Sequence, residues 1–329
     1  MEKMFDFMTL EERVKALEQE VNGEKLQREM MRKVEAYKDA YDEFLHGNVV
    51  KDSLKIGADK DGGYLVPDEF EHKLIKALND QNILRKLGTV ITTDHLLRIP
   101  GVSAHGTAEW IDEGKPIPES DETFYQVMLD AHKVGTAIRV SDELLEDSGF
   151  DIEKYIADEF GRRIGEAEEK AFLSGDGNGK PVGFLSEAEI GVETDVVDID
   201  AAIDLYHSVS RYRENATWLM SNDAYQTLRK VKTANGINIW QPSMVEGEPD
   251  TLLGRPVYIS EAMPETSAGA CVVAFGDFSY LWIADRGNRS LKQLKELYAT
   301  TGQVGFLASQ RVDARLTLRE AIKTMKIAA

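Results

Sequence analysis

The residue types that usually perform chemistry occur in this chain, but their spacing matches no recognised catalytic or metal-binding motif. The six histidines are scattered, and none forms the HExxH pair that presents two zinc ligands on one helix face. Neither a GxSxG nucleophile turn nor a GxxxxGK(S/T) phosphate loop is present. The single cysteine, Cys271, lies in the apolar sequence GACVVAFG, which predicts an inert thiol in a buried strand. We therefore expect no catalytic residues, no bound metal and no cofactor.

The glycine-rich stretch at 175–180, GDGNGK, superficially resembles a loop that cradles phosphate. It follows a predicted helix, whereas a phosphate-binding loop precedes a helix so that its amides add to the helix N-terminus. Glycines directly after a helix are typical of the turn that ends it. We therefore predict a helix-terminating turn here.

The most unusual segment runs from Thr107 to Phe124, with the sequence TAEWIDEGKPIPESDETF. Its carboxylates could form a general acid–base pair, but a surface loop stiffened by proline does not bury them enough to tune their pKa values. Solvation or an intersubunit salt bridge explains them better. Strand-like sequence flanks the segment on both sides, and the segment is far longer than a hairpin turn of about two to five residues. Such a loop is either disordered or lies on another subunit, and we favour the second interpretation.

Trp110 and Ile111 are the large apolar residues in the first half of this loop. We predict that they anchor the loop in a hydrophobic spot on a neighbouring subunit. The alternative is that Trp110 closes the base of the hairpin and packs on its own domain, because aromatic residues often form cross-strand pairs. The other predicted contact residues of the loop are Glu113, Lys115, Pro116, Pro118, Glu119 and Asp121.

Composition limits the remaining functional classes. The formal net charge is −19, and the basic residues between Arg286 and Lys295 are interspersed with other types. Proteins that grip nucleic acid need clustered Lys and Arg, so we expect no direct binding, although the charge is compatible with a protein that surrounds DNA. No uncharged apolar run of about 18 residues and no secretory signal is visible, and the single cysteine fits a cytoplasmic origin.

Residues 1–56 are predicted to form a separate helical segment. Two apolar stripes with alternating spacings of four and three residues indicate short coiled-coil-type seams. The first stripe is Leu10, Val14, Leu17 and Val21, and the second is Met30, Val34, Tyr37, Tyr41 and Phe44. We favour a helical arm that associates with copies of itself. A helical hairpin packed on its own domain is the alternative.

From Gly62 onward the pattern is mixed, which predicts an α+β body. The first predicted elements are a helix over 69–78 and strands near 89–99 and 124–140; helices over 198–209 and 222–232 and strands near 216–221, 257–261 and 271–277 follow later. The longest predicted helix ends at Ser174, with Ile152, Ile156, Phe160, Ile164, Ala167 and Ala171 on its buried face. Its predicted exposed face carries Glu159, Arg162, Arg163, Glu166, Glu168, Glu169 and Lys170. The region 290–327 predicts half-exposed strands with a turn at Thr300–Gly302.

In this order the pieces resemble the HK97-type major capsid proteins of tailed bacteriophages. The matching sequences are GGYLVP at 62–67, PESD at 118–121, FLSGDGNGKPVGFL at 172–185, WLMSNDAYQTLRKVK at 218–232, LLGRPVYISEAMP at 252–264 and VAFGDFSYLWIADR at 273–286. Each is weak alone, but their order and spacing cover nearly the whole body from residue 57 to 329.

The resemblance implies an HK97-like fold with six segments. They are a helical delta-like scaffolding segment (1–56), an N-arm and the start of the peripheral domain (57–102), an extended E-loop (103–124), a peripheral domain with a long spine helix (125–189), an axial domain (190–285) and return strands of the peripheral domain (286–329). It also implies intersubunit contacts by the E-loop residues above. A symmetry-axis loop would contain Asn235, Gly236, Trp240 and Glu246, and a peripheral turn Thr300, Thr301, Gly302 and Gln303.

The implied function is that of a non-enzymatic shell subunit. Pentamers and hexamers would build an icosahedral head in the cytoplasm of a bacterial host and, in the virion, enclose double-stranded DNA without binding it specifically or contacting a membrane. A portal and a prohead protease are the implied partners. The residues that crosslink some relatives correspond to Gly114 (beside Lys115), Gly302 and Ser309, so we expect a noncovalent shell. An encapsulin-like nanocompartment around a protein cargo is the alternative, and a soluble α/β enzyme is a remote one.

Overall fold

The computed structural model describes residues 31–32, 64–65, 68–104, 123–141, 143–144, 152–232, 240, 248–287 and 289–328. Helices and strands are mixed throughout this part of the chain, as the sequence predicted. No helix within it is long and apolar enough to span a membrane. Of residues 1–56, only Met31 and Arg32 are described, and both are helical.

The helices and strands are named here in chain order. The helices are α1 Asp68–Gln81, α2 Ile83–Leu87, α3 Ile152–Ser174, α4 Phe184–Glu187, α5 Ile199–Ser208, α6 Asn222–Lys230 and α7 Lys295–Tyr298. The strands are β1 Tyr64–Leu65, β2 Thr89–Thr93, β3 Leu97–Ala104, β4 Thr123–Leu129, β5 His132–Ser141, β6 Glu189–Thr194, β7 Thr217–Met220, β8 Thr251–Leu252, β9 Arg255–Ile259, β10 Cys271–Gly276, β11 Leu281–Arg286, β12 Ser290–Leu294, β13 Gln303–Leu316 and β14 Ile322–Ile327.

The described residues divide into two compact units. The smaller unit contains β1 and the described parts of Ala137–Ile156 and Ser290–Leu307. Within it, β1 pairs antiparallel with β12, with Tyr64 opposite Leu291. The larger unit contains the described parts of His72–Thr136, Ala157–Arg289 and Ala308–Ala329. The two units do not test the boundaries of the six predicted segments, which stay predictions.

The larger unit has a six-stranded mixed sheet in the order β6-β14-β10-β7-β9-β8. Helices α5 and α6 contribute Leu205 and Leu228 to the core beside this sheet, where the indole of Trp218 stacks 4.2 Å from the ring of Phe275. Asp198 caps α5 and Ser221 caps α6, and each side chain accepts the backbone N–H of the residue three positions ahead.

A second sheet places β11 between β2, which runs parallel to it, and β13, which runs antiparallel. A separate core lies beside it, in which Leu84, Phe172 and Ile283 are completely buried. Phe184 of α4 meets Phe278 edge to face at 5.7 Å. This core joins α2 and the end of α3 to the sheet.

The prediction of half-exposed strands in the last part of the chain agrees with β13 and β14. In β13 every second residue from Val304 to Leu316 is buried, while Leu307, Ser309, Arg311 and Arg315 between them are half-buried or exposed. In β14 Lys323 and Lys326 are half-buried between buried residues. Cys271, predicted to be buried, is half-buried and free.

The buried face of α3 also differs from the prediction. Ile156, Phe160 and Ile164 are buried as expected, but the buried stripe then continues in steps of four through Glu168 and Phe172, and Ala167 is exposed. Glu168 and Glu169 were assigned to the exposed face, yet they are 2% and 6% exposed. The apolar pattern could not reveal this, because charged residues are rarely buried unless a partner neutralises them.

The partners of Glu168 form a closed ring of five side chains, Arg85, Glu168, Gln310, Arg289 and Asp285. Arg85 donates to both oxygens of Glu168 at 2.7 and 3.0 Å and to both oxygens of Asp285 at 2.8 and 3.1 Å. Asp285 also accepts from Arg289 at 2.9 Å. Arg289 donates to Gln310 at 2.8 Å, and Gln310 donates to Glu168, which closes the ring.

The ring carries two positive and two negative groups, so its net charge is zero. Burial opposes the charge of Arg85, but Glu168 and Asp285 outweigh that effect and raise the pKa of Arg85 above its usual value. Bidentate pairs of this kind are the strongest ion pairs in proteins. The ring therefore ties α2, α3, β11 and β13 together with every charge compensated.

Glu169, the neighbour of Glu168, holds the start of α2. Its carboxylate accepts from the backbone N–H of Ile83 at 3.3 Å and from the hydroxyl of Ser260. Asn82 caps the same short helix by accepting from Arg85 N at 3.2 Å. Two adjacent glutamates of α3 therefore fix both the backbone start of α2 and its arginine.

Helices α1 and α3 approach closely at two glycines. A Cβ at Gly161 would lie 2.4 Å from the Cβ of Ala77, and one at Gly165 would lie 3.0 Å from the Cβ of Gln81. Two real Cβ atoms do not approach to 2.4 Å, so a side chain at Gly161 would push the two helices apart.

We expect Glu168→Gln to lower the free energy of unfolding by about 3 kcal/mol, because it removes one charge from a buried, bidentate pair. Glu166→Gln on the same helix is the matched control: Glu166 is 59% exposed in its pair with Arg162, and we expect a loss below about 0.5 kcal/mol. Urea unfolding of both variants measures the difference. Equal losses would show that the ring is not a stabilising unit.

We also expect a pH-dependent effect of Glu169→Gln. Burial raises the pKa of Glu169 above its usual value, an effect only partly offset by its hydrogen bonds. The folded state therefore binds the proton of the Glu169 carboxyl group more tightly than the unfolded state does. Ionisation of Glu169 then destabilises the fold as pH rises from about 4.3 through the raised pKa. The stability of Glu169→Gln relative to the wild type should increase with pH across this window. Urea midpoints measured from about pH 4.5 to about pH 7.5 test this; a difference that is constant with pH contradicts it.

Candidate assembly surfaces

Strands β3 and β4 form a two-stranded antiparallel sheet of their own, with Ile99 opposite Val127 and Ala104 opposite Thr123. The predicted hairpin is therefore present at its base. Residues 105–122 lie outside the described residues, so the placement of Trp110, Ile111, Glu113, Lys115, Pro116, Pro118, Glu119 and Asp121 stays a prediction.

One face of β4 is held against the larger unit. Val127 and Leu129 are 9% and 0% exposed, whereas Met128 between them is 52% exposed. Tyr125 lies on the same face and is half-buried, and its hydroxyl donates to the carbonyl of Thr317 just beyond β13. Burial raises the pKa of the Tyr125 hydroxyl above its usual value.

The end of β4 is held by Asp313 of β13. This carboxylate, whose side chain is 1% exposed, accepts from Asp130 N at 2.7 Å and from Ala314 N at 2.9 Å. Arg286 of β11 donates to the Leu129 carbonyl at 3.4 Å and to the Asp130 carboxylate at 3.3 Å. Burial raises the pKa of Asp313 despite these hydrogen bonds. We call the five residues Tyr125, Asp130, Arg286, Asp313 and Thr317 the hairpin joint.

The predicted symmetry-axis loop is described only at Trp240, since Asn235, Gly236 and Glu246 lie outside the described residues. Trp240 is 4% exposed and meets the ring of Tyr225 edge to face at 5.1 Å. Tyr225 in turn donates to Asp250 at 2.6 Å. Trp240 therefore lies in the core of its own unit, and its predicted role at an axis stays untested.

The predicted peripheral turn belongs to the smaller unit. A short 3-10 turn at Ala299–Thr301 ends at Gly302, whose φ of 61° is the left-handed conformation that favours glycine, and β13 begins at Gln303. Thr300, Thr301 and Gly302 are exposed. Leu297 beside them is 66% exposed, and the guanidinium of Arg139 lies 5.6 Å from the centre of the Tyr298 ring.

The exposed face of α3 carries a short ion-pair network. Glu159 accepts from Arg162 and Arg163 at 2.8 and 2.6 Å, and Arg162 also pairs with Glu166 at 3.0 Å. The hydrogen bond from Arg162 is the main cause that lowers the pKa of Glu159. These pairs at helical spacing agree with the predicted solvated face.

Sequence reasoning missed the hairpin joint. Asp313 alternates with Arg311 and Arg315 along β13, so the sequence places it on the polar face of the strand and gives no signal of its burial. No local pattern marks Tyr125, because its partner lies 192 residues later in the chain.

Comparison with known proteins supports a single family. The model of the phage capsid family matches residues 62–327. The chain is 26% identical over 254 residues to a major capsid protein of Klebsiella oxytoca phage phiKO2, covering 71% of this chain and 58% of that protein. It is 27% identical to a capsid polyprotein of Pseudomonas phage PAJU2, covering 71% of this chain and 37% of that one. The matched region thus spans less than two thirds of either relative.

Solved capsid structures share the fold. The capsid of a native GTA particle has a TM-score of 0.65 and 30% identity, over 75% of this chain and 90% of that one. A chain of Mycobacterium phage Adephagia shares the fold with a TM-score of 0.59 at 16% identity, again over 75% and 90% of the two chains. Because the family model covers most of the sequence and the fold agrees, the chain belongs to the phage capsid family.

Proposed function

We propose that this chain is a major capsid protein, a subunit that assembles into the icosahedral head shell of a tailed phage or prophage. The observation that carries the proposal is the shared fold with the native GTA capsid over nine tenths of that chain's length. The relative from phage phiKO2 is itself described as a major capsid protein. The encapsulin-like alternative is not favoured, since the matching structures are GTA and phage capsids.

The HK97-like parts can be assigned to observed elements under this proposal. The E-loop (103–124) runs from the end of β3 to the start of β4, and α3 is the spine helix of the peripheral domain. Strands β7 to β10 lie in the axial domain (190–285), and β12, β13 and β14 are the return strands of the peripheral domain (286–329). Residues 1–56 are the delta-like scaffolding segment and 57–102 lead into the peripheral domain. Supporting this assignment, β3 and β4 form a sheet of their own and α3 is 23 residues long.

Noncovalent assembly follows from the residues at the crosslinking positions. Gly114 and Gly302 have no side chain to join, and Ser309 is not a carboxylate. Pentamers and hexamers would therefore be held by extended arms and surface contacts, which multiply modest energies over many copies.

The enclosed cargo is double-stranded DNA, held without specific contacts. A net charge of −19 repels the phosphate backbone, so a motor at a portal has to drive the genome in. Assembly would take place in the host cytoplasm, with a portal and a prohead protease as partners, and the product would be part of the virion.

We expect the purified full chain to form rings or closed shells, because it shares its fold with capsid subunits. Negative-stain images and sedimentation velocity over a range of salt and pH measure this. Only monomers at high protein concentration under all of these conditions would contradict the proposed function.

We expect Trp110→Ala to weaken the shell by about 2 kcal/mol per contact, because the indole is proposed to fill a hydrophobic spot on a neighbour. The melting temperature of dissociated subunits should change little. Trp240→Ala is the control: it removes a buried indole and should lower the subunit melting temperature. Denaturant titration of assembled shells completes the test. A lower subunit melting temperature with unchanged shell disassembly for Trp110→Ala would show that this tryptophan packs on its own subunit.

A further inference from the structure

The β3–β4 hairpin makes a two-stranded sheet of its own but continues at both ends into the neighbouring sheet. β3 follows β2 after three residues and β4 precedes β5 after two, and β2 and β5 pair with β11 and β13. A two-stranded hairpin has little stability of its own in water. Beyond these chain connections, its direction is held by the apolar contacts of Val127 and Leu129 and by the polar contacts of the hairpin joint.

The joint acts at two separated points along β4. The Tyr125 hydroxyl donates to the Thr317 carbonyl, and the Asp130 amide donates to the Asp313 carboxylate. The two attachments are therefore five residues apart along the hairpin and four residues apart along the chain of β13. At about 3.3 Å per residue the two attachments are roughly 13–16 Å apart. Two attachment points at this distance restrict the direction of the hairpin relative to the sheet more than a single attachment point does.

Both acceptors of the joint are themselves held firmly. Thr317 donates to the Tyr280 carbonyl through its backbone N–H at 2.8 Å and through its hydroxyl at 2.7 Å. Asp313 is buried and also bound by Ala314 N. The joint therefore connects the hairpin to rigid points of the sheet.

We propose that Tyr125 and Asp313 are positioning residues that set the direction in which the hairpin leaves the subunit, and hence whether its tip reaches a second copy of this chain. The reach to a second copy depends on the proposed shell function. The attachment itself does not. A hairpin released at Tyr125 would stay packed through its own Val127 and Leu129, but its outer part would sample a wider range of directions, so subunits would remain stable while assembling poorly.

Tyr125→Phe tests this with the loss of one hydroxyl. Tyr225→Phe is the matched control, because Tyr225 donates its hydroxyl to Asp250 at 2.6 Å in the core of the same unit. Amide hydrogen exchange on the full chain should show β3 and β4 exchanging about fivefold to tenfold faster in Tyr125→Phe only. Exchange in β10 and β14 should be unchanged in both variants, and the melting temperatures should be similar.

Shell formation provides the second readout. We expect Tyr125→Phe to give a severalfold lower yield of closed shells than Tyr225→Phe, and Asp313→Asn to act in the same direction through the Asp130 amide. Equal exchange rates in β3 and β4 for the two tyrosine variants would show that the Tyr125 hydroxyl does not hold the hairpin. Faster exchange with an unchanged shell yield would overturn its role in assembly. If the wild type itself forms no shell, the proposed function fails, while the exchange comparison still decides the joint.

Discussion

The buried ring of Arg85, Glu168, Gln310, Arg289 and Asp285 is the constraint on which the rest of the larger unit depends. It joins residues that are 83, 142 and 200 positions apart in sequence. Arg85, Glu168 and Gln310 are buried, and Asp285 and Arg289 are half-buried. Each carboxylate accepts from two donors, so no charge is left uncompensated. Burying such groups singly would be costly, and only the complete ring makes the arrangement stable.

The ring and the hairpin joint share two strands but lie on opposite faces of them. Asp285 and Arg286 are neighbours on β11, and successive side chains of a strand point to opposite faces. Register agrees, because Ala284 is paired with Asp313 and Asp285 with Val312. One face of this sheet therefore holds the long helix α3, and the other holds the base of the hairpin. The two faces of this sheet thus position helix α3 and the base of the β3–β4 hairpin.

Much of the fold could be predicted from local patterns. The helix at 68–81, the end of α3 at Ser174, the caps Asp198 and Ser221 and the turn at Gly302 all follow from short-range chemistry. Long-range pairing could not be predicted. Glu168 and Glu169 looked solvent-exposed because Arg85 and Ser260, which allow their burial, lie far away in sequence. The same limit hid Tyr125, whose partner Thr317 lies 192 residues later in the chain.

The chain order of the strands has a consequence for synthesis in the cell. β13 and β14 leave the ribosome after every other named strand, yet each occupies an interior place in its sheet. Neither sheet can close on a nascent chain, and Gln310 completes the ring only at that late stage. The hairpin, made much earlier, has no fixed base until Asp313 and Thr317 emerge.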